Sequence, residues 1–364
     1  MNRLVIELLS IEKGKAYGYQ EYVFNLLNYF YTHRDNIKYK EIIILCKRDS
    51  TILFDGYSDK FTIKSYSYSS YLKLFWLLTF TPFMLGLGKN DLLFSPGNYS
   101  GWIKRCPELL VIHDLLYKRK QWIPSKLMRF QREIFVPHSI KKADGIIAIS
   151  NFTKDDVEYY YPQSKGKIEV IYNSFNFQKY EESDLSEKPN FPYFLTIANS
   201  ANYKNLKTIL EAFSQYCKKG GDKNFVFVGT IKEGTDAYAA YENLSKDVQH
   251  RVFTRCKISN AELGCLYRNA SCYISASKFE GLGMPVVEAM SFGLPVLLSN
   301  IPPHKEVSLN KGEYFEPEDI DGLSNKMLCC EFGDTDYAHD IHKLFSEENT
   351  SAKYVDLFNT MVVK

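Results

Sequence analysis

The chain has 364 residues, of which 45% are hydrophobic and 24% charged, a composition ordinary for a soluble globular protein and one that excludes a disordered chain. The length exceeds the usual single core, so two domains are expected. The formal charge of +2 conceals an asymmetry, because residues 1–173 hold 25 Lys and Arg against 17 Asp and Glu, whereas the rest hold 20 against 26.

The N-terminus, MNRLVIELLSIEKGK, carries an apolar run interrupted by Glu7 and Glu12, and it reads as a first strand over Leu4–Leu9 instead of a signal or transit peptide. A helix over Gln20–His33 and strands over Glu41–Cys46, Asp91–Ser95, Leu109–His113 and Gly145–Ser150 follow. Alternation of this kind predicts a doubly wound parallel sheet. Within this half, Leu74–Gly88 (LFWLLTFTPFMLGLG) is the most apolar run, too short to cross a bilayer and interrupted by Pro82. Two readings of it stand: a buried crossover helix, or an aromatic surface dipping into a membrane interface beside Lys104, Arg105, Lys118, Arg119 and Lys120.

Domain one is expected over 1–173. Residues 174–190 are polar and without periodicity, and they read as a linker. A second α/β series occupies 191–345: strand Tyr193–Ala198, helix Lys207–Cys217, strand Phe225–Gly229, helix Asn260–Arg268, strand Ser271–Ser277. Residues 346–364 are expected to form a C-terminal helix crossing back to the first domain, and the ligand cleft is expected between the two domains. Eight scattered cysteines without a CxxC pair read as reduced thiols of a cytosolic protein. The basic first half suits an anionic membrane surface or a phosphorylated substrate; with no recognisable nucleic-acid module, nucleic acid is not expected as a partner.

Lys278–Asn300, KFEGLGMPVVEAMSFGLPVLLSN, is the most chemically loaded segment. Gly281, Gly283 and Pro285 break the preceding strand into a turn, a helix runs over Val286–Phe292, and Gly293 stops it before a strand over Pro295–Ser299. Such a helix start faces the carboxyl edge of a parallel sheet, where open α/β sheets bind ligands. The N–H groups of Met284–Val287 and the helix dipole form an anion site, and Glu280 and Glu288 bracket it with hydroxyl acceptors. A nucleotide sugar offers both phosphates and hydroxyls. The plainer alternative is a strand-to-helix turn with two solvated acids.

The spacing from Glu280 through Gly281, Leu282, Gly283, Met284 and Pro285 to Glu288 resembles the E-x7-E signature of family 4, the group 1 glycosyltransferases. Other segments fit in order. Ile112-His113-Asp114, Ala143–Ser150, Lys204-Asn205, the Glu262–Ala270 helix, Ile301–Val307 and Tyr314–Asp319 each resemble a family element. The resemblance covers the second half well and the first in patches. It implies a GT-B fold of two Rossmann-like domains facing a central cleft, and a retaining, metal-independent hexosyltransferase using a nucleoside-diphosphate sugar. By resemblance Glu280 holds the hexose, Glu288 the ribose, Lys204 neutralises the diphosphate with the Gly283 helix start, and His113 touches the donor sugar or the acceptor. The acceptor would be a glycan, lipid-linked, at the inner face of the cytoplasmic membrane.

The chain departs from the family at two places. Asn199 stands where the family usually has an arginine five residues before the lysine, leaving Arg255 as a candidate for that phosphate contact. Gly18-Tyr19-Gln20-Glu21-Tyr22 stands for the common Gly-Ile-Gly-Arg-Tyr loop, so Gly18 is only a weak phosphate-loop candidate. Asp334-Thr335-Asp336 and Asp319-Ile320-Asp321 imitate a metal-binding D-x-D but read as turn and helix-cap acids. A sugar-nucleotide epimerase of the same fold and a non-catalytic donor-binding protein are the competing readings.

Overall fold

The computed structural model describes residues 2–14, 18–69, 71–119, 122, 125–180, 188–329 and 336–362. The chain forms two compact units, 1–176 with 345–364, and 177–344. The first unit contains β1 (Arg3–Leu8), α1 (Gly18–Thr32), β2 (Glu41–Lys47), β3 (Thr62–Tyr66), α2 (Tyr71–Met84), β4 (Leu92–Ser95), β5 (Glu108–Ile112), α3 (Lys126–Lys142), β6 (Gly145–Ala148), α4 (Asn151–Tyr160) and β7 (Ile168–Val170). The second contains β8 (Tyr193–Ile197), α5 (Leu206–Lys218), β9 (Asn224–Val228), α6 (Asp236–Glu242), α7 (Lys246–Gln249), β10 (Val252–Arg255), α8 (Asn260–Asn269), β11 (Cys272–Ser275), α9 (Met284–Ser291), β12 (Val296–Ser299), α10 (Pro302–Val307), β13 (Glu313–Phe315), α11 (Ile320–Cys329) and α12 (Ala338–Phe345). A last helix, α13 (Ser351–Thr360), belongs to the first unit.

Each sheet is parallel, ordered β3-β2-β1-β4-β5-β6-β7 in the first unit and β10-β9-β8-β11-β12-β13 in the second. The central strands are continuous apolar runs because helices cover both faces: RLVIEL in β1 is buried throughout, as is CYIS in β11. Helix α5 buries Leu206, Ile209, Leu210, Phe213 and Tyr216, the i, i+3, i+4, i+7 stripe of an amphipathic helix. The winding reverses between β1 and β4 in one sheet and between β8 and β11 in the other, and these are the positions where open parallel sheets offer a crevice.

Three expectations need adjustment. The linker starts later than 174, since Phe177–Tyr180 is a 3-10 turn of the second unit with Tyr180 buried; residues 181–187 lie outside the described residues. Helix α2 is neither wholly buried nor wholly superficial: Leu74 and Leu78 are buried, whereas Trp76, Phe80 and Phe83 are exposed. The signature helix begins at Met284, not Val286, with Pro285 inside its first turn, where a missing N–H is harmless. Among the described residues no helix is long and apolar enough to cross a membrane.

Candidate active site

Two loops leave the second sheet on either side of its reversal point. After β8 the chain makes a 3-10 turn over Asn202–Lys204, then Asn205 takes a left-handed conformation (φ 56°) that launches α5. After β11 it passes through Glu280 to Gly283, also left-handed (φ 102°), which caps α9. The Lys278 N–H donates to the Tyr203 carbonyl at 2.7 Å and stitches the loops together. Lys204 and Glu280 therefore meet: the ammonium donates to both carboxylate oxygens at 2.7 and 2.8 Å, with side chains 18% and 13% exposed.

Asn205 is placed differently from the sequence expectation. Its amide donates to the Ala276 and Pro317 carbonyls at 3.1 and 2.5 Å and accepts from the Thr208 hydroxyl at 3.0 Å. That side chain is spent on the backbone, so it positions Lys204 and does not reach for a ligand. The helix start is also narrower than expected. Pro285 brings no N–H and the Val286 N–H turns back to the Gly283 carbonyl at 2.9 Å, so neither adds a donor for a ligand.

Beneath the turn lies His304, fully buried, its ring 3.8 Å from where a Cβ on Gly283 would sit. Its Nδ1 is 3.0 Å from the Ser299 carbonyl, which can only accept, so Nδ1 carries the proton and Nε2 accepts from Ser275 at 3.2 Å. Burial pushes this imidazole down to about 4 against the pull of Glu280, and it is neutral near pH 7. Burial also opposes ionisation of Glu280, but Lys204 outweighs it and holds the carboxyl below its ordinary range. The second acid, Glu288, is buried in the first turns of α9, accepts from the Tyr267 hydroxyl at 2.6 Å, and lies 3.7 Å from Lys179. Burial and then Glu288 hold the Tyr267 phenol well above its usual value, so it stays a donor. The result is a cation, a helix start and two oriented carboxylates at one sheet edge.

Comparison with known proteins interprets this arrangement. The sequence profile of the glycosyl transferases group 1 matches residues 178–354, and that of glycosyltransferase family 4 matches residues 40–179. The chain belongs to the group 1, family 4 glycosyltransferases. Among the relatives of this glycosyltransferase is the O-antigen chain mannosyltransferase RfbU of Salmonella typhimurium, 28% identical over 58% of this chain and 57% of that protein. The serotype-specific mannosyltransferase WbdA of Escherichia coli is 26% identical over 57% of this chain and 28% of its own length. These matches span little more than half of the first relative and less than a third of the second. The fold is that of solved GT-B glycosyltransferases: a sucrose-phosphate synthase of Thermosynechococcus elongatus aligns over 99% of both chains (TM-score 0.74, 16% identity), and Anabaena HepE in complex with UDP and glucose over 99% and 100% (TM-score 0.73, 15% identity).

The remaining residues that sequence singled out in this glycosyltransferase are dispersed. Asn199 is exposed and its side chain accepts from the Ala201 N–H at 3.0 Å, a local turn. Arg255 ends the edge strand β10, two strands from β8 and hence about 10 Å away by strand spacing, exposed. Asp319 caps α11 by accepting the Gly322 N–H at 2.8 Å, while 334 and 335 lie outside the described residues.

His113 and Gly18 belong to the first unit. Gly18 opens α1, and a Cβ there would meet nothing within 4 Å, so the fold itself does not require glycine. The His113 Nε2 donates to the Pro96 carbonyl at 2.7 Å, leaving Nδ1 as acceptor, and burial keeps the ring neutral by lowering its pKa. His113 lines a cavity of about 320 Å³ at the reversal point of the first sheet, which is also lined by Glu7, Tyr19, Asp114 and Arg132. Burial pushes the Glu7 carboxyl up to about 7, against the Leu9 N–H that donates to it at 2.8 Å. Sequence reasoning missed Glu7, Tyr267, Lys179 and His304 as site residues. Only Glu7 carried a visible signal, an acid inside an apolar strand.

Proposed function

We infer that this protein is a retaining hexosyltransferase that moves a hexose from a nucleoside-diphosphate sugar to a glycan acceptor, lipid-linked, in surface polysaccharide synthesis. The observation that carries the reading is the Lys204–Glu280 pair beside the Gly283 helix start, at the reversal point of the second sheet. Opposite charges that compensate each other exchange partners when the donor enters. Glu280 takes hexose hydroxyls, Lys204 and the helix start take the diphosphate, and Glu288, held by Tyr267, takes the ribose hydroxyls.

In the reaction the bond between the anomeric carbon and the diphosphate oxygen breaks, and its electron pair leaves on that oxygen. The acceptor hydroxyl forms the new bond on the same face and passes its proton to the departing phosphate. Lys204 and the Gly283 turn meet the developing charge, so the chemistry calls for no metal. His113 stands with the acceptor side. The basic first half suits an anionic membrane at the cytoplasmic face. The relatives support the acceptor class: O-antigen mannosyltransferases and an alpha-monoglucosyldiacylglycerol synthase of Acholeplasma laidlawii, 22% identical over 54% of this chain, build surface glycans or glycolipids.

The test is a binding and turnover pair. A thermal-shift panel of nucleoside diphosphates and their sugars is expected to contain at least one that raises the midpoint, and Glu280→Gln to abolish transfer while keeping nucleotide binding. NMR of the product should show the donor's anomeric configuration, with the rate unchanged by EDTA. The exposed Asn199, which supplies no cation, favours as second reading a donor-binding protein without catalysis. That reading wins if Glu280→Gln leaves glycan assembly intact.

A further inference from the structure

Two strands of the second sheet end in buried serines beneath the Gly283 turn. Ser275 closes β11 and Ser299 closes β12, side by side because the strands pair in parallel with Ser275 opposite Leu298. Ser277, two residues further toward Glu280, is buried as well. Buried hydroxyls need partners, and the partner shared by both strand ends is the fully buried His304 imidazole of α10. The Ser299 hydroxyl spends its proton on the Ser277 carbonyl at 2.5 Å, so toward Nδ1, 3.0 Å away, it accepts, as the Ser299 carbonyl does. Both contacts assign the proton to Nδ1 and leave Nε2 to accept from the Ser275 hydroxyl at 3.2 Å. A charged ring would donate from both nitrogens and force Ser275 to turn. Burial keeps the ring neutral and so preserves this direction.

From the imidazole the contacts lead to one carboxylate. The Ser275 hydroxyl oxygen lies 3.4 Å from that of Ser277, and the Ser277 side chain hydrogen-bonds Glu280. An ionised carboxylate only accepts, so Ser277 is the donor. The loop is pinned from the side by the Lys278 N–H on the Tyr203 carbonyl at 2.7 Å. The Cδ2 edge of His304, 3.8 Å from where a Gly283 Cβ would sit, floors the turn that follows. One ring thus supplies a donor, an acceptor and an apolar edge to the whole stretch from Ser275 to Gly283. Lys204 also donates to Glu280, and in the transfer reading it leaves for the diphosphate. The Ser277 hydroxyl then stays to aim the carboxylate.

We propose that His304 is a positioning residue for hexose recognition: through Ser275 and Ser277 it holds the Glu280 carboxylate in the orientation that accepts sugar hydroxyls once Lys204 has turned to the diphosphate. This role rests on the transfer reading above and adds to it a residue that itself touches neither donor nor acceptor. The ribose acid, Glu288, is oriented separately, by Tyr267. A defect at His304 should therefore fall on the sugar and spare the nucleotide.

The full chain is titrated calorimetrically with UDP and UDP-glucose and with GDP and GDP-mannose, and for each pair the affinity of the sugar nucleotide is divided by that of its diphosphate. Asparagine at 304 keeps an amide N–H where Nδ1 stands but has no acceptor at the Nε2 position, so His304→Asn should lower the ratio of the preferred pair at least about tenfold, with diphosphate affinity held within about twofold. Ser277→Ala, a smaller change, should do the same. Glutamine carries an amide oxygen out to the Nε2 position, and His304→Gln should recover most of the loss. In a Glu280→Gln background neither His304→Asn nor Ser277→Ala should lower the ratio further, because both act through that carboxylate. The role is overturned if His304→Asn and Ser277→Ala leave the ratio unmoved, if they weaken diphosphate and sugar nucleotide alike, or if their effects persist undiminished without the Glu280 carboxylate. A ratio that depends on His304 and Ser277 in a chain whose Glu280→Gln variant still sustains glycan assembly would instead overturn the transfer reading and leave the positioning role standing.

Discussion

The Lys204–Glu280 contact joins opposite charges that are each largely withdrawn from water, an arrangement whose desolvation cost is met only while both partners are present. Glu288 has the same need and meets it with Tyr267. Tyr267→Phe removes a hydrogen bond to a carboxylate, so a loss of about 1.5–3 kcal/mol in stability is expected by thermal unfolding. If Glu288 reads ribose, wild type should prefer a nucleoside diphosphate over its 2′,3′-dideoxy form, and Tyr267→Phe should shrink that preference. Glu7 offers a pH test of opposite sign to the usual carboxylate. Its folded pKa is near 7 against an ordinary 4.5, so the native state binds the proton more tightly and stability falls as pH rises through that window. The other titratable and charged groups lining its cavity are Tyr19, Tyr99, His113, Asp114 and Arg132. Glu7→Gln is expected to be more stable than wild type above pH 7, by up to about 3 kcal/mol in thermal unfolding, with the advantage gone below pH 4.5; a pH-independent difference would refute the assignment. Glu280 and Glu288 stood out in sequence because acids and glycines in an apolar context are conspicuous, whereas Lys204, in a polar stretch, was singled out only by the family resemblance. Tyr267, His304 and Lys179 were not, since their roles come from packing: Tyr267 occupies a buried helix position, His304 lies under another loop, and Lys179 sits in a stretch that reads as linker.

At the scale of elements, the helix start depends on a single backbone conformation. Gly283 has φ 102°, and a Cβ there would find neighbours at 3.8–3.9 Å, which is ordinary contact. Gly283→Ala should therefore cost only the left-handed strain, about 1–2 kcal/mol, read as a fall of a few degrees in midpoint. Gly101→Ala is the contrast. Its φ carries no penalty, but the new Cβ would overlap the Leu78 carbonyl, so α2 must move and the loss should be larger than at Gly283. The same scale explains which strands sequence could find. The central strands were readable as apolar runs, whereas β3, β7, β10 and β13 were not, and these four are the edges of the two sheets. An edge strand is covered less completely, so TIKSY, IEV, VFTR and EYF carry polar residues that break the apolar pattern.

The molecule as a whole is discontinuous: the first unit is interrupted by the second and resumes at Phe345, whose carbonyl accepts from the Phe175 N–H at 3.0 Å. Helix α13 is thus a distant piece of sequence completing an early core. Tyr354 and Phe358 are fully buried, the Tyr354 hydroxyl bonds that of Tyr22 at 2.7 Å, and Phe358 packs edge-on to Phe30 and Phe94 at 5.3 and 5.1 Å. Burying a large apolar side chain contributes about 1.5–3 kcal/mol, so with Val355 these positions contribute roughly 5 kcal/mol or more, which rivals the entire stability of a domain. Deleting residues 346–364 should consequently unfold the first unit, seen as lost helical signal and exposed apolar surface. Lys204, Glu280, Gly283 and Glu288 all lie in the second unit, whose own core runs through Phe194, Leu210, Phe225 and Ile274. The truncated chain should therefore still show a nucleoside-diphosphate-dependent thermal shift. Loss of that shift together with the first unit's structure would mean that the second unit does not hold its donor site unaided.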